Sequence, residues 1–387
     1  MVNGIRRVVI WAHSECRSNA ALYAAVRKRA AEQGIAVKIY LWNQKLQPES
    51  RKIEIEDAVV VGEDYAKGLT VLREFGGPDS VQAFCVYQNS SVWRRLIAEA
   101  KRGGARVVVN AEAPCEMCLG VKATLKRLYY RFVLPWKLRA AVHAADLFIN
   151  ASGETGIDRL VRLGWKREKI VPFGYASPRL VVSGQRLVIS GEGKGAVSGQ
   201  RLVVSGDGDG ERVVSGQRLV VREEKKEDSV VNLNLQPQPS LRVLHLGSEA
   251  SYRGVKIAEK AARIAGVELV KTGGKMPEEE LVAEIRRADV VVACGYCEPW
   301  GMRMNDVLLE GTPIIVSDGM GVAAVCGWYG CGCVVPKGDA AALAKVLKRC
   351  KDEPEFLAKL RSGAQVAAEE LLPENRAKVW LELVVSG

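Results

Sequence analysis

Short apolar runs rich in Val, Ile and Ala recur along the chain, separated by stretches whose apolar residues follow helical spacing. That alternation predicts strands buried on both faces and joined by crossover helices, a doubly wound α/β pattern. Arg6 to Trp11 reads as the first strand, and Ser18 or Asn19 caps a helix from Ala20 to about Gln33 that Gly34 ends. Ala36–Leu41, Val59–Val61, Ala83–Tyr87 and Ala105–Asn110 continue the strands. Ala145 to Ser152 runs from strand into loop, before Leu160–Gly164, Lys169–Pro172 and Phe173–Tyr175. A first Rossmann-like domain is therefore expected over residues 1–178.

A second series starts at the strand Leu241–Gly247, with a loop to Gly254, a helix Val255–Ala265, a strand Val267–Lys271 and a helix Pro277–Arg287. Ala288 to Ala293 is again apolar and β-branched, and Glu298-Pro299-Trp300-Gly301 breaks it. Met302 to Glu310 has helical spacing, and Gly311-Thr312-Pro313 stops it before Ile314–Val316. Glu298 and Asp306 thus stand at the two ends of one strand–loop–helix joint, Glu298 at the carboxyl end of a parallel strand, where α/β sheets bind ligands. Gly338-Asp339 caps a helix Ala340–Cys350, and further helices are expected over Glu355–Leu371 and Glu374–Val384. The second domain spans 241–371, followed by a terminal helix and tail over 372–387.

Between the two series the pattern changes. Val-Ser-Gly-Gln-Arg-Leu-Val occurs three times between Arg179 and Val221, and Val-Val-Ser-Gly returns as residues 384–387. Residues 179–240 read as a repetitive insertion and linker, closed by the charge run Arg222–Asp228 and Gln236-Pro237-Gln238-Pro239.

A chain of 387 residues has the apolar content for two to three full cores. Its net charge of +11 favours anionic partners. The opening residues are expected to form a strand and not a secretory leader, and no stretch approaches the ~18 apolar residues of a membrane span. Ten cysteines then point to a reducing cytoplasm. Cys115/Cys118 and Cys294/Cys297 have metal-like spacing but no His nearby, so buried thiols are the stronger reading. Between Met117 and Ala145 there is no acidic residue; Lys122, Lys126, Arg127, Arg131, Lys137 and Arg139 alternate with Leu, Tyr, Phe and Trp. That composition suits an interface helix on an anionic membrane surface, or a core-packed helix with a solvated face. No nucleic-acid module accompanies it, so nucleic acid is not expected as a partner.

Glu298, Pro299, Trp300, Gly301, Asp306, Gly311, Thr312 and Pro313 resemble the donor-site motif of the retaining family-4 glycosyltransferases of the GT-B fold. The second acidic position is Asp306 where that family usually has Glu. The resemblance extends to the phosphate loop, with Gly247 after the strand and Arg253-Gly254 before the helix. Ser248 stands where the family often has Arg, leaving Arg303 or Lys271 as substitutes, or a weaker donor site. Ser317 to Gly321 resembles the family's glycine-rich loop, and Glu112 falls near its cleft His.

The resemblance implies two Rossmann-like domains facing a cleft, with the C-terminal helix packed back on the first. It implies transfer of a sugar from a nucleoside-diphosphate-sugar to a hydroxyl acceptor, a glycan or lipid-linked precursor, with retention and without an obligatory metal or other cofactor. Glu298 is the catalytic candidate. Arg253, Gly254, Gly247, Gly301, Met302, Arg303, Asp306 and Gly321 would bind the donor, and Glu112 would face the acceptor. Apart from the resemblance, Arg17 at the N-terminus of the first helix could hold an acceptor or phosphate, with a plain surface cap the stronger reading. Asp207-Gly208-Asp209 mimics the metal-binding pair of the other large glycosyltransferase fold, but it lies inside the repeat. A nucleotide-sugar epimerase of the same fold and a non-catalytic sugar- or nucleotide-binding relative remain open.

Overall fold

The structure, a computed structural model, describes residues 4–12, 17–42, 57–85, 88, 90–115, 120–179, 241–246, 251–272 and 276–386. The repeat and its linker lie outside the described residues from 180 to 240. The first half runs β1 (Arg7–Ala12), α1 (Arg17–Glu32), β2 (Ala36–Leu41), β3 (Val59–Val60), α2 (Tyr65–Phe75), β4 (Ser80–Phe84), α3 (Ser91–Arg102), β5 (Arg106–Ala111), α4 (Val121–Phe132), α5 (Leu134–Ala144), β6 (Leu147–Asn150), α6 (Ile157–Arg162) and β7 (Ile170–Pro172). Its seven strands are all parallel, in the order β3-β2-β1-β4-β5-β6-β7. Both faces are buried, which is why the strands carry unbroken apolar runs. On one face Trp11 stacks on Phe84 at 5.2 Å and meets the edge of Trp93 at 5.8 Å. The Trp11 indole N–H is kept satisfied by Gln82 Oε1 at 2.9 Å.

The second half runs β8 (Arg242–Leu246), α7 (Val255–Ala265), β9 (Glu268–Thr272), α8 (Glu278–Arg287), β10 (Val290–Ala293), α9 (Arg303–Leu309), β11 (Ile314–Ser317), α10 (Ala323–Tyr329), β12 (Gly332–Val335), α11 (Ala340–Asp352), α12 (Pro354–Glu370) and α13 (Pro373–Val385). Its five parallel strands take the order β12-β11-β10-β8-β9. Strand order reverses between β8 and β10, and ligands of open α/β sheets bind beyond the carboxyl ends of such a pair. The last helix, α13, leaves this half and packs with α1. There Ala377, Trp380, Leu381 and Val384 join the core of Val8, Ile10 and Tyr23. The Arg376 guanidinium lies 3.9 Å from the Phe173 ring centre and donates to the Phe173 carbonyl.

Several boundaries differ from the sequence reading. Helix α1 starts at Arg17, ahead of the expected Ser18 or Asn19 cap, and β4 lies three residues earlier than Ala83–Tyr87. The basic, aromatic stretch forms two helices that divide at Val133, because Pro135 at the start of α5 brings no N–H to continue α4. Residues 323–335, in which no element was expected, fold as α10 and β12.

Candidate active site

Two loops at the β8/β10 switch point carry opposite charges toward each other. Arg253 precedes α7, and Glu298 follows β10. The Arg253 Nη2 to Glu298 Oε1 distance is 3.9 Å, with the side chains about 29% and 16% exposed. Gly254 makes this approach possible. Its φ is +72°, and a Cβ there would stand 2.1 Å from the Cys294 carbonyl oxygen at the end of β10. The Arg253 Nε is buried with no partner among the described residues. Beneath the loop His245 is buried, and burial pushes its pKa down, so the imidazole is neutral at pH 7.

Backbone pairing holds the Glu298 loop. Glu298 N–H donates to Gly319 O at 2.9 Å, Gly321 N–H to Glu298 O at 3.2 Å, and Val322 N–H to Trp300 O at 3.0 Å. Gly321 is required here because a Cβ would meet the Pro299 carbonyl oxygen at 1.9 Å. Trp300, almost fully buried, projects into the first half, where its ring lies against Gly153 and Gly174.

The first half supplies the facing wall. Glu112, just after β5, accepts a hydrogen bond from Tyr175 Oη at 2.8 Å. Burial pushes the Glu112 carboxyl above the ordinary carboxylate range, the Tyr175 bond works against that rise, and the charge of Glu298 adds to it. Burial thus drives Glu112 toward its neutral form. Tyr175 is fixed in turn by α9 and the Glu298 loop: Asn305 Nδ2 donates to Tyr175 O at 3.1 Å, and Trp300 Nε1 donates to Asn305 Oδ1 at 2.9 Å.

Beside this wall, Arg159 donates to Pro114 O at 3.0 Å and reaches Cys297 Sγ at 3.8 Å. The Cys115 and Cys297 thiols are hydrogen-bonded to each other, and that bond and burial hold Cys115 in its protonated form. Cys297 thus pairs with Cys115 of the other half. Cys294 is buried beside the Gly254 turn, and its thiol is pushed up to about 12 by burial. Cys118 lies outside the described residues. Among the described residues no group of three His, Cys, Asp or Glu side chains could hold a metal ion. The seam between Ala113, Ser152, Thr155, Glu298 and Pro299 encloses only about 10 Å³.

Residues 233–366 match the model of the family described as glycosyl transferases group 1. Over 123 residues the chain is 28% identical to a glycogen synthase of Mycobacterium tuberculosis, a match covering 30% of this chain and 29% of that protein. The fold also matches solved structures over nearly its whole length. Anabaena Alr3699/HepE, crystallised with UDP and glucose, superposes with a TM-score of 0.56 at 12% identity, covering 99% of this chain and 100% of that one. A glycosyltransferase from Rickettsia africae superposes with a TM-score of 0.56 at 10% identity, covering 98% of each chain. The fold is GT-B.

Within this GT-B frame the expected residues fall in three groups. Glu298, Arg253 and Gly254 converge at the switch point, with Gly321 packed behind them. Gly301 lies against Met320 and Val322, Met302 is the N-cap residue of α9, and Arg303 is 3.3 Å from Asp306 on the same helix. Lys271 is bonded to Glu259 at 2.6 Å, so both suggested substitute cations are engaged by carboxylates. Gly247, Ser248 and the Arg17 side chain lie outside the described residues. Sequence reasoning passed over Asn305, Arg159 and His245, and it read Tyr175 only as part of a closing segment. Asn305 carried one available signal: it is a polar residue on the otherwise apolar side of α9, five positions after Trp300.

Proposed function

We propose that this chain transfers a sugar from a nucleoside-diphosphate-sugar to a hydroxyl of a glycan or lipid-linked acceptor, with retention of configuration. The observation that carries this reading is the approach of Arg253 to Glu298 at the switch point, opposite Glu112. Arg253 and the backbone amides near Gly301 would take the charge that develops on the departing diphosphate. Glu298 would bind donor-sugar hydroxyls and stabilise the positive charge that grows at the anomeric carbon. Asp306 would hold the ribose, with Arg303 setting its orientation. No residue here is assigned as a covalent nucleophile, and no metal step is invoked. The described cysteines are free thiols, which favours a reducing cytoplasm as the chain's setting.

The test is release of nucleoside diphosphate from a panel of UDP-, ADP- and GDP-sugars, with and without glycan acceptors, and the product anomer read by proton NMR. Acceptor-dependent release with the donor's anomeric configuration supports the proposal; an inverted product removes the retention. A second reading, a nucleotide-sugar epimerase, is favoured by Glu112, whose burial raises its carboxyl toward the range of a general acid. It predicts conversion of the donor sugar with no acceptor present.

A further inference from the structure

In the basic, aromatic stretch α5 packs into the core through Leu134, Leu138, Ala141 and Val142, but α4 does not. In α4 only Ala123 is fully buried, whereas Val121 is 76% exposed, Leu125 61% and Phe132 66%. Val121, Leu125, Leu128 and Phe132 follow one another at intervals of four, three and four, so they form one outward stripe along the helix, with Tyr129 beside it. Trp136, in the first turn of α5, extends the stripe and is 78% exposed. A surface helix of a soluble protein ordinarily turns its apolar stripe inward; this one turns it out.

The charges around the stripe are all of one sign. Residues 117–145 contain no Asp or Glu, and six Lys or Arg residues lie between Lys122 and Arg139. Two cations lie beside aromatic rings, Arg131 at 5.4 Å from the Phe132 centroid and Lys137 at 5.4 Å from the Tyr129 centroid. Rings and long basic side chains together suit the headgroup layer of a bilayer, where the apolar part is buried and the charge meets lipid phosphate. Nucleic acid would also satisfy the cations, but it would leave Val121, Leu125 and Leu128 facing water.

We propose that α4 and the first turn of α5 dock this chain on an anionic lipid bilayer, with the α4 stripe inserted at the headgroup–acyl boundary. The surface is tied to the seam: Tyr130 Oη, on the inner side of α4, donates to Cys115 O at 3.2 Å, three residues from Glu112. Docking therefore brings the Glu112 wall close to the bilayer. The lipid-linked class of acceptor is the one such a placement serves, a point that rests on the sugar-transfer reading, whereas docking itself does not.

The experiment is flotation of the full chain with vesicles of neutral phosphatidylcholine or of phosphatidylcholine containing about 30% phosphatidylglycerol, at low and high salt. A triple variant, Leu125→Ser, Phe132→Ser and Trp136→Ser, and a charge variant, Lys122→Gln, Lys126→Gln and Arg131→Gln, are run beside it. All six positions are exposed, so unchanged thermal melts confirm folding. The expected result is at least tenfold more chain floating with anionic than neutral vesicles, falling with salt and lost in both variants. Equal recovery in the soluble fraction with both vesicle types overturns the proposal. So does a dimer in solution that the triple variant dissociates without any vesicle binding, because the stripe would then belong to a second copy. Loss of sugar transfer with vesicle binding intact would instead count against the sugar-transfer reading alone.

Discussion

At the scale of single residues, Glu298, Asp306 and Glu112 each call for a different measurement. Glu298→Gln keeps the shape of the side chain and removes its charge; turnover should fall about ten- to a thousandfold with little change in donor affinity, as steady-state kinetics would show. Asp306→Ala should instead weaken nucleotide binding, measured by calorimetry, while turnover at saturating donor changes less. Glu112 has its pKa raised in the folded chain, so its contribution to stability is full below the ordinary carboxylate pKa and is lost as pH rises through the raised value. Glu112→Gln should remove that loss. Melting curves from about pH 4.5 to 8 should show the variant gaining on the parent chain as pH increases.

Elements explain how much of this could be read from the chain. Strands β1, β5, β10 and β11 announce themselves because a parallel strand covered on both faces must be apolar throughout. The Glu298 loop was legible for a related reason, since Pro299, Trp300 and Gly301 break the pattern between two such strands. By contrast α10 contains Gly327 and spans seven residues, and β12 opens with Gly332; neither is long enough to establish a period. The Tyr175–Glu112 bond joins residues 63 apart and the Asn305–Tyr175 bond residues 130 apart, so no local pattern encodes either. The turn at Gly254 is the element most exposed to a single change. Gly254→Ala adds a left-handed backbone penalty of about 1–2 kcal/mol to a clash with the Cys294 carbonyl. A lower melting temperature and loss of nucleoside-diphosphate binding should appear together.

For the whole molecule, the question is what the repeat contributes. Arg179, the first residue of that stretch, belongs to the packed structure: it donates to Leu309 O at 2.9 Å and pairs with Glu369 at 2.8 Å. The expected insertion therefore begins after it. Replacing residues 181–221 with a short Gly/Ser linker should leave the melting temperature and donor turnover unchanged, since each doubling of loop length costs only about 0.6 kcal/mol in closure. Activity that requires a divalent ion in the parent chain and disappears on this replacement would return Asp207 and Asp209 to consideration.

The position of α13 has a further effect during synthesis. One face of the first sheet is closed by Trp380, Leu381, Val384 and Val385, although that sheet's last strand ends at Pro172. At about 5–20 residues per second, roughly 10–40 s separate the two on the ribosome. Throughout that interval nascent chains carry an apolar surface without its cover, a binding site for chaperones and a route to aggregation when they are scarce.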